Sequence, residues 1–359
     1  MSSVNLSTFV PARILVCQLR QIGDVILSTP CLELLKRRYP ESELHVFTEK
    51  KCEPVLRGNP HVTRIWSLDK ARLKSFPTEI LWYWKMARTG FDLVVDLQQL
   101  PRCRWVTAFS AARVRLSFTP PWYNRLLYTH HVDLVDGYAA LCKASILAPL
   151  GIHATSERPR LYLAEEERQA AARLLHALGL RPEHRLVTLD PTHRRVTRRW
   201  PASAYAETLR LLADADPALR FLPLWGPGEE QEIRELVAAC DCKDHILLPE
   251  RMLSLREMAA CIEAARLHLG NCSAPRHMAV AVGTPSCVIR GATSDGWTYP
   301  SPQHVTVAAN LDCQPCNRNT CSTGTPCLTA VPPRRVADTV LAMLAANSET
   351  DMARHRQTP

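Results

Sequence analysis

No apolar run in this chain is long enough to cross a bilayer. The longest apolar stretches, such as residues 138–152, are broken by Lys143 and Pro149 and fall short of the ~18 residues a spanning helix needs. Residues 1–10 carry no basic n-region and no apolar core of signal-peptide length, so a cytoplasmic chain is expected. Zinc-finger, RRM and basic-zipper signatures are also missing, and the basic residues are scattered, which excludes the common nucleic-acid readers; no nucleic-acid partner is expected. The composition of a disordered chain is absent too. Hydrophobic residues make up 46% and charged residues 22%, enough apolar material for two cores.

What is present is a repeated alternation of strand and helix. The 359 residues exceed the ~250–300 at which a single core usually stops growing. Residues 14–17 form a short apolar run bounded by charge, as in a parallel strand buried on both faces. Gly23 is read as a tight turn, with Val25, Ile26, Leu32, Leu34 and Leu35 as the apolar positions of one helix. Strands are then expected at 44–48, 62–67 and 93–97, with an aromatic helix over 78–89 and Asp96 closing the third strand. A second block follows a linker near 154–159 and a helix over 165–178. Its strands are expected at 186–189, 221–225, 245–248, 267–270 and 286–289. The fold class is therefore α/β, two Rossmann-like domains with parallel sheets facing across a cleft. The domains are 1–160 and 161–331, followed by a helix over 332–347 that can pack across to the first domain and a disordered tail over 348–359.

Three places carry chemistry. Asp24 sits at the first strand-to-helix bend, where ligands of open α/β sheets bind; the same position suits a helix cap, and spacing does not separate the two. Arg194, Arg195, Arg198 and Arg199 crowd the loop between the strand at 186–189 and a helix expected over 202–212. Guanidinium groups bind phosphate oxygens in pairs and the helix N-terminus adds positive potential, so the loop suits a diphosphate; a solvated basic loop is the alternative. The segment LHLGNCSAPRHMAVAVGTP reads as strand, small-residue turn and helix, with Ser273 as N-cap and His277 in the first turn, structural or functional. The excess of 44 lysines and arginines over 35 acids, a net +9, fits phosphates on a small ligand or lipid head group, or an ordinary basic surface.

In order and spacing these segments resemble glycosyltransferase family 9, the heptosyltransferases that build the inner core of bacterial lipopolysaccharide. The motifs are Arg20-Gln21-Ile22-Gly23-Asp24-Val25 with Thr29-Pro30 beyond it, FDLVVDLQ at 91–98, RRWP at 198–201 preceded by Arg194, WGPGEE at 225–230 and GNCSAPRHMAVAVGTP. The resemblance implies a GT-B fold, an ADP-heptose donor, a lipid A–Kdo or core-oligosaccharide acceptor and no required cofactor. It also implies a cytoplasmic enzyme peripheral to the inner membrane. Asp24 matches the general base of an inverting displacement, with Arg20, Gly23 and Asp96 on the acceptor side. Arg198, with Arg194 near it, matches the diphosphate-binding cation, Glu229 the acid on the ribose, and Cys272, Ser273 and His277 the turn around the diphosphate. Residues 248–254 match the adenine edge.

One departure stands out. Cys272 replaces the acid of the family's usual Asn-Asp-Ser-Gly, and a thiol is a weak hydrogen-bond partner. A rival reading follows, a non-catalytic regulator that binds a nucleotide sugar or phosphate. Of 14 cysteines, four form Cys313-x2-Cys316-x4-Cys321-x5-Cys327. Their spacing is compatible with four thiolates around zinc or an iron–sulfur centre and also with reduced or redox-labile loop thiols, so a metal or redox sensor is a second rival. Trp82-Tyr83-Trp84 and Trp122-Tyr123 suit a membrane interface or a core.

Overall fold

The computed structural model describes residues 4–73 and 75–356. The chain divides into two compact units, Met1–Tyr162 and Leu163–Pro359. In the first, β1 (Arg13–Cys17) leads into α1 (Ile22–Leu27) and α2 (Thr29–Arg38). Then come β2 (Glu43–Glu49), β3 (Arg64–Leu68), α3 (Phe76–Ala87), β4 (Leu93–Asp96), α4 (Pro101–Ser110), β5 (Val114–Phe118), β6 (His130–Val132) and α5 (Ala139–Ala144). The strands pair in parallel in the order β3-β2-β1-β4-β5-β6. Ile14 to Cys17 are buried on both faces, which a parallel sheet achieves only with helices on each side. Leu15, Cys17, Phe47 and Val94 pack against Tyr83 and Met86 of α3 and Cys103 and Val106 of α4. The strand order reverses between β1 and β4, and beyond the carboxyl ends of those strands lies the crevice where such sheets bind ligands.

The second unit runs α6 (Glu165–Ala177), β7 (Arg185–Asp190), α7 (Ala202–Ala215), β8 (Leu219–Pro223), α8 (Glu230–Ala239) and α9 (Leu255–Ala264). It continues through β9 (Leu267–Asn271), α10 (Ala274–Val282), β10 (Ser286–Ile289), β11 (His304–Val307), α11 (Pro326–Thr329) and α12 (Pro333–Arg356). Its parallel sheet has the order β11-β10-β9-β7-β8, so the switch point falls between β7 and β9. Val187, Leu189, Leu267, Leu269, Cys287 and Ile289 alternate onto one face and bury Trp200 and Tyr205 together with Val336, Val340 and Leu344 of α12. α12 thus packs within its own unit, on α7, β9 and β10.

Several expectations need correction. The helix after β1 is two, because Pro30 starts a new helix at Ser28–Thr29 where it has no amide to give. Gly23 is the second residue of α1 and lies outside the left-handed region; the chain turns before it. Residues 245–248 are not a strand: Ile246 makes a single bridge to Phe221 after a 3-10 turn at Lys243–His245, and Pro249 ends the run. β5, β6 and β11 were not expected; they are short and only partly apolar. The tail expected to be disordered from 348 is helical in backbone to Arg356, since neither glycine nor proline interrupts it; residues 357–359 lie outside the described residues.

At the second switch point β7 and β9 come together so closely that a Cβ on Gly270 would lie 2.8 Å from Asp190 Cβ and 3.2 Å from its carbonyl oxygen. Gly270→Ala should therefore destabilise the protein by about 1–3 kcal/mol. The check is a urea midpoint that falls while the slope of the transition is unchanged.

Candidate active site

Both sites are built on the loop that follows a unit's first strand. In the first unit Asp24 is the third residue of α1. Its Oδ2 accepts the Gln21 amide at 3.3 Å, so it does cap the helix. Its other oxygen pairs with Lys143 Nζ of α5 at 3.1 Å, and the carboxylate keeps about a quarter of its surface, 27%, in solvent. Lys143 also donates to Gln18 Oε1 at 3.3 Å. Asp24 is thus held from two directions and open on the rest, the arrangement of a carboxylate that can still take a proton. Lys143 was missed in the sequence because it lies far along the chain in a segment that reads as a plain apolar helix. Arg20 is exposed, and Gly23 is half-buried.

Asp96, expected on the acceptor side, lies in the sheet layer at the end of β4. It is fully buried, accepting the Tyr128 hydroxyl at 2.7 Å and the amides of Gln98 and Gln99 at 3.1 and 2.8 Å. Burial pushes its pKa up, against the pull of these donors. Its carboxyl has no face toward solvent, so it shapes the β4 loop. That loop carries Gln98, whose Oε1 accepts the amides of Leu19 and Arg20 at 3.0 and 3.2 Å while its Nε2 donates to the Arg20 carbonyl. The turn leading to Asp24 is held by this side chain.

In the second unit the four loop arginines separate. Arg194 and Arg195 are exposed, and Arg199 pairs with Glu232 at 2.6 Å. Arg198 is half-buried, its Nε enclosed with no hydrogen-bond partner among the described residues; burial lowers its pKa, opposed by nearby Cys272. His193, accepting the Arg195 amide at 2.9 Å, is pushed down to about 4 by burial and then by Arg198, so it is neutral at pH 7. Glu229 Oε2 accepts the Thr192 hydroxyl at 2.7 Å and the Gly226 amide at 2.8 Å.

The turn after β9 is bound to the same loop. Asn271, fully buried, accepts the Trp200 amide at 3.1 Å and donates to the carbonyls of Asp190 and Thr192 at 3.2 and 3.3 Å. Ser273 occupies the N-cap position of α10, yet its hydroxyl does not cap the helix: it donates to Asp190. Cys272 and His277 are buried, at 6% and 5% exposure, and the His277 ring lies 6.0 Å from that of Trp297. Sequence reasoning missed Asp190. It closes a strand just as Asp96 does, and that was the signal.

Cys313, Cys316 and Cys321 are exposed and Cys327 is buried. Burial and the neighbouring thiols raise the Cys327 pKa, but among the described residues no group of three or more His, Cys, Asp or Glu is arranged to hold a metal ion. Their loop has a structural part. Gln314 donates to the carbonyls of Arg290 and Gly291 at 3.2 and 2.8 Å, and the Arg318 carbonyl accepts the Thr197 hydroxyl at 2.8 Å. Of the two aromatic groups, Tyr83 is core and Trp82 packs against it, whereas Trp122 and Tyr123 are 82% and 63% exposed.

A family model described as glycosyltransferase family 9 (heptosyltransferase) matches residues 83–326. The chain is 25% identical over 286 residues to lipopolysaccharide heptosyltransferase 3 of Escherichia coli, covering 76% of this chain and 81% of that protein. In fold it is similar to a family 9 glycosyl transferase from Veillonella parvula, with a TM-score of 0.81 at 20% identity over 93% of this chain and 98% of the other. It is also similar to the E. coli ADP-heptose lipopolysaccharide heptosyltransferase II, with a TM-score of 0.75 at 18% identity over 94% and 99%. The two parallel-sheet units are the Rossmann-like halves of a GT-B protein.

Asp190 supplies a test of the second site's electrostatics. Burial, aided by the charge of Glu229 and opposed by Ser273, pushes its pKa up to about 8, against ~3.9 for an unfolded aspartate. Between those values the native state binds a proton that the unfolded chain lacks, so stability falls as pH climbs from ~4 through 8. Asp190→Asn, neutral throughout, should flatten this part of the curve of Tm against pH; an unchanged slope would mean that Asp190 is ionised in the native state.

Proposed function

The chain belongs to glycosyltransferase family 9, the heptosyltransferases, and on that premise we propose that it transfers a heptose from ADP-heptose to the lipopolysaccharide core with inversion. The observation that carries this reading is Asp24, a partly solvent-open carboxylate beyond the carboxyl end of β1, with Lys143 on one oxygen and the Gln21 amide on the other. In the proposed step Asp24 takes the proton of an acceptor hydroxyl while that oxygen bonds to the anomeric carbon. The bond from this carbon to the diphosphate oxygen breaks, and ADP leaves with the electron pair. Lys143 and the Gln21 amide orient the base, so that the proton's destination is in place before the acceptor arrives.

The second unit is the proposed donor side. Arg198, with an enclosed and unpartnered Nε, suits the oxygen that gains charge as the diphosphate departs. Glu229, held by Thr192 and Gly226, is the acid proposed for the ribose. The relatives' names supply ADP-heptose as donor and lipopolysaccharide as acceptor; a lipid A–Kdo or core-oligosaccharide acceptor is the finer proposal. This chemistry needs no resident metal from the protein, because the leaving group's charge meets guanidinium groups.

A lipid-linked acceptor calls for a membrane surface, and the 3-10 helix Trp122–Leu127 is suited to one. Trp122, Tyr123 and Leu126 are 82%, 63% and 97% exposed, with Arg125 among them. The segment is not loose: Arg115 Nε donates to the Leu127 carbonyl at 2.6 Å and the Tyr128 hydroxyl reaches Asp96. Aromatics with an adjacent cation favour the head-group region of anionic bilayers.

Two experiments test these readings. With ADP-heptose and Kdo-bearing lipid A, ADP release and product mass report transfer; Asp24→Asn should lower kcat by about 10²–10⁴-fold while ADP still binds. Binding of donor without transfer to any core acceptor by the wild type would instead favour a regulator. For the membrane contact, Trp122→Ser with Leu126→Ser should reduce the fraction that sediments with anionic phospholipid vesicles, and equal sedimentation would remove this segment from the proposal.

A further inference from the structure

Arg276 is the third residue of α10 and only 3% exposed. One terminal nitrogen of its guanidinium donates to Cys272 Sγ at 3.2 Å and the other to Thr298 Oγ1 at 2.7 Å. No carboxylate lies within ion-pair distance of it among the described residues. Other well-buried arginines of this unit do have one: Arg290 pairs with Asp295 at 2.6 Å and Arg256 with Glu167. A thiol and a hydroxyl are neutral acceptors and return less than a buried cation loses on leaving water. The start of a helix makes matters worse, because its dipole opposes a positive side chain. His268, within reach of the same charge, is pushed down to about 3 by burial and then by Arg276, and is no counter-ion.

Other unspent donors gather at the same turn. The Arg198 loop is tied to this turn by the Trp200 amide, which donates to Asn271 Oδ1 at 3.1 Å beside Cys272, and the Arg198 Nε is enclosed without a partner among the described residues. The Ser273 hydroxyl has turned to Asp190, so no side chain caps the first amides of α10. Two guanidinium groups and a helix N-terminus around one thiol make a site for an anion of more than one charge.

We infer that Arg276 and Arg198 together hold the diphosphate of the donor, and that Cys272 sets the affinity by leaving Arg276 without an internal counter-ion. This deepens the donor-site reading above and rests on it. Its consequence is specific: an acid at 272 would satisfy Arg276 from within the protein and compete with the ligand.

The test is calorimetric titration of ADP and of inorganic pyrophosphate into the full-length chain, with thermal melts of each variant in the absence of ligand. Cys272→Asp and Cys272→Asn differ in charge and hardly in shape. The aspartate variant should melt higher than the asparagine variant yet bind both ligands at least tenfold more weakly, and Arg276→Met should lose at least tenfold for both. Equal affinities of the Asp and Asn variants, or ADP and pyrophosphate binding by Arg276→Met equal to wild type, would overturn the inference and leave the donor reading in place. Wild-type protein that binds neither ligand would overturn both. Loss of ADP binding alone, with pyrophosphate unaffected, would place Arg276 on the nucleoside and also count against the clamp.

Discussion

In each unit one amide side chain reaches across the switch point and holds the loop that carries the proposed site. Gln98, just past β4, accepts the amides of Leu19 and Arg20 and donates to the Arg20 carbonyl. Asn271, at the end of β9, accepts the Trp200 amide and donates to the carbonyls of Asp190 and Thr192. A primary amide suits the task because it alone among neutral side chains offers two donors and an acceptor together. Beyond the strand ends the ladder gives these loops only scattered backbone bonds, such as that from the Glu49 amide to the Leu19 carbonyl, and a buried backbone left without partners would be costly. An amide from the adjacent strand supplies the missing bonds without bringing a charge, which leaves the charge balance of each site to other residues.

That division explains why both strand-end acids, Asp96 and Asp190, are buried and have raised pKa values. They are the last residues of β4 and β7 and accept bonds from the turns beyond, Asp96 from the Gln98 and Gln99 amides and Asp190 from the Ser273 hydroxyl. Asp24 stands one loop further out, on a helix that begins after the turn, and has solvent on one side. The chemical difference among the three carboxylates is thus a matter of position along a strand–turn–helix path.

The strand and helix pattern was readable where burial on both faces made the sequence continuously apolar, as in 14–17 and 93–95. It failed at β5, β6 and β11, where polar residues such as Arg115, Ser117, His131 and Thr306 interrupt the run. Among site residues, Asp24 and Arg198 stood out because their loops follow strands directly. Lys143 and Arg276 did not, since each acts through contacts made by folding: α5 comes back beside α1, and α10 turns Arg276 inward toward its own N-terminal cysteine. No spacing rule reports such a return. The surroundings of Asp96 were hidden for a related reason, as its strand-end position is visible in sequence and its burial under Tyr128 is not.

The arginine loop illustrates how apolar residues decide what polar ones do. Four cations within six positions read as a uniformly basic patch, yet of the four only Arg198 has a side-chain nitrogen enclosed without a partner. The cause lies in its neighbours: Thr197 is 1% exposed and Trp200 fully buried against Tyr205, their rings 4.9 Å apart. Thr197 is locked in turn by the Ala292 amide on its carbonyl and by Arg318 on its hydroxyl, and Gly291 lets it approach, since a Cβ there would sit 2.3 Å from the Thr197 oxygen. With residues 197 and 200 anchored inward, the two arginines between them have little choice of direction. Arg199 leaves toward Glu232 and Arg198 stays at the protein surface layer with part of its guanidinium enclosed. A backbone so held fixes where the Arg198 side chain starts before any ligand arrives, which lowers the ordering cost of a guanidinium that stabilises a charge developing only as a bond breaks.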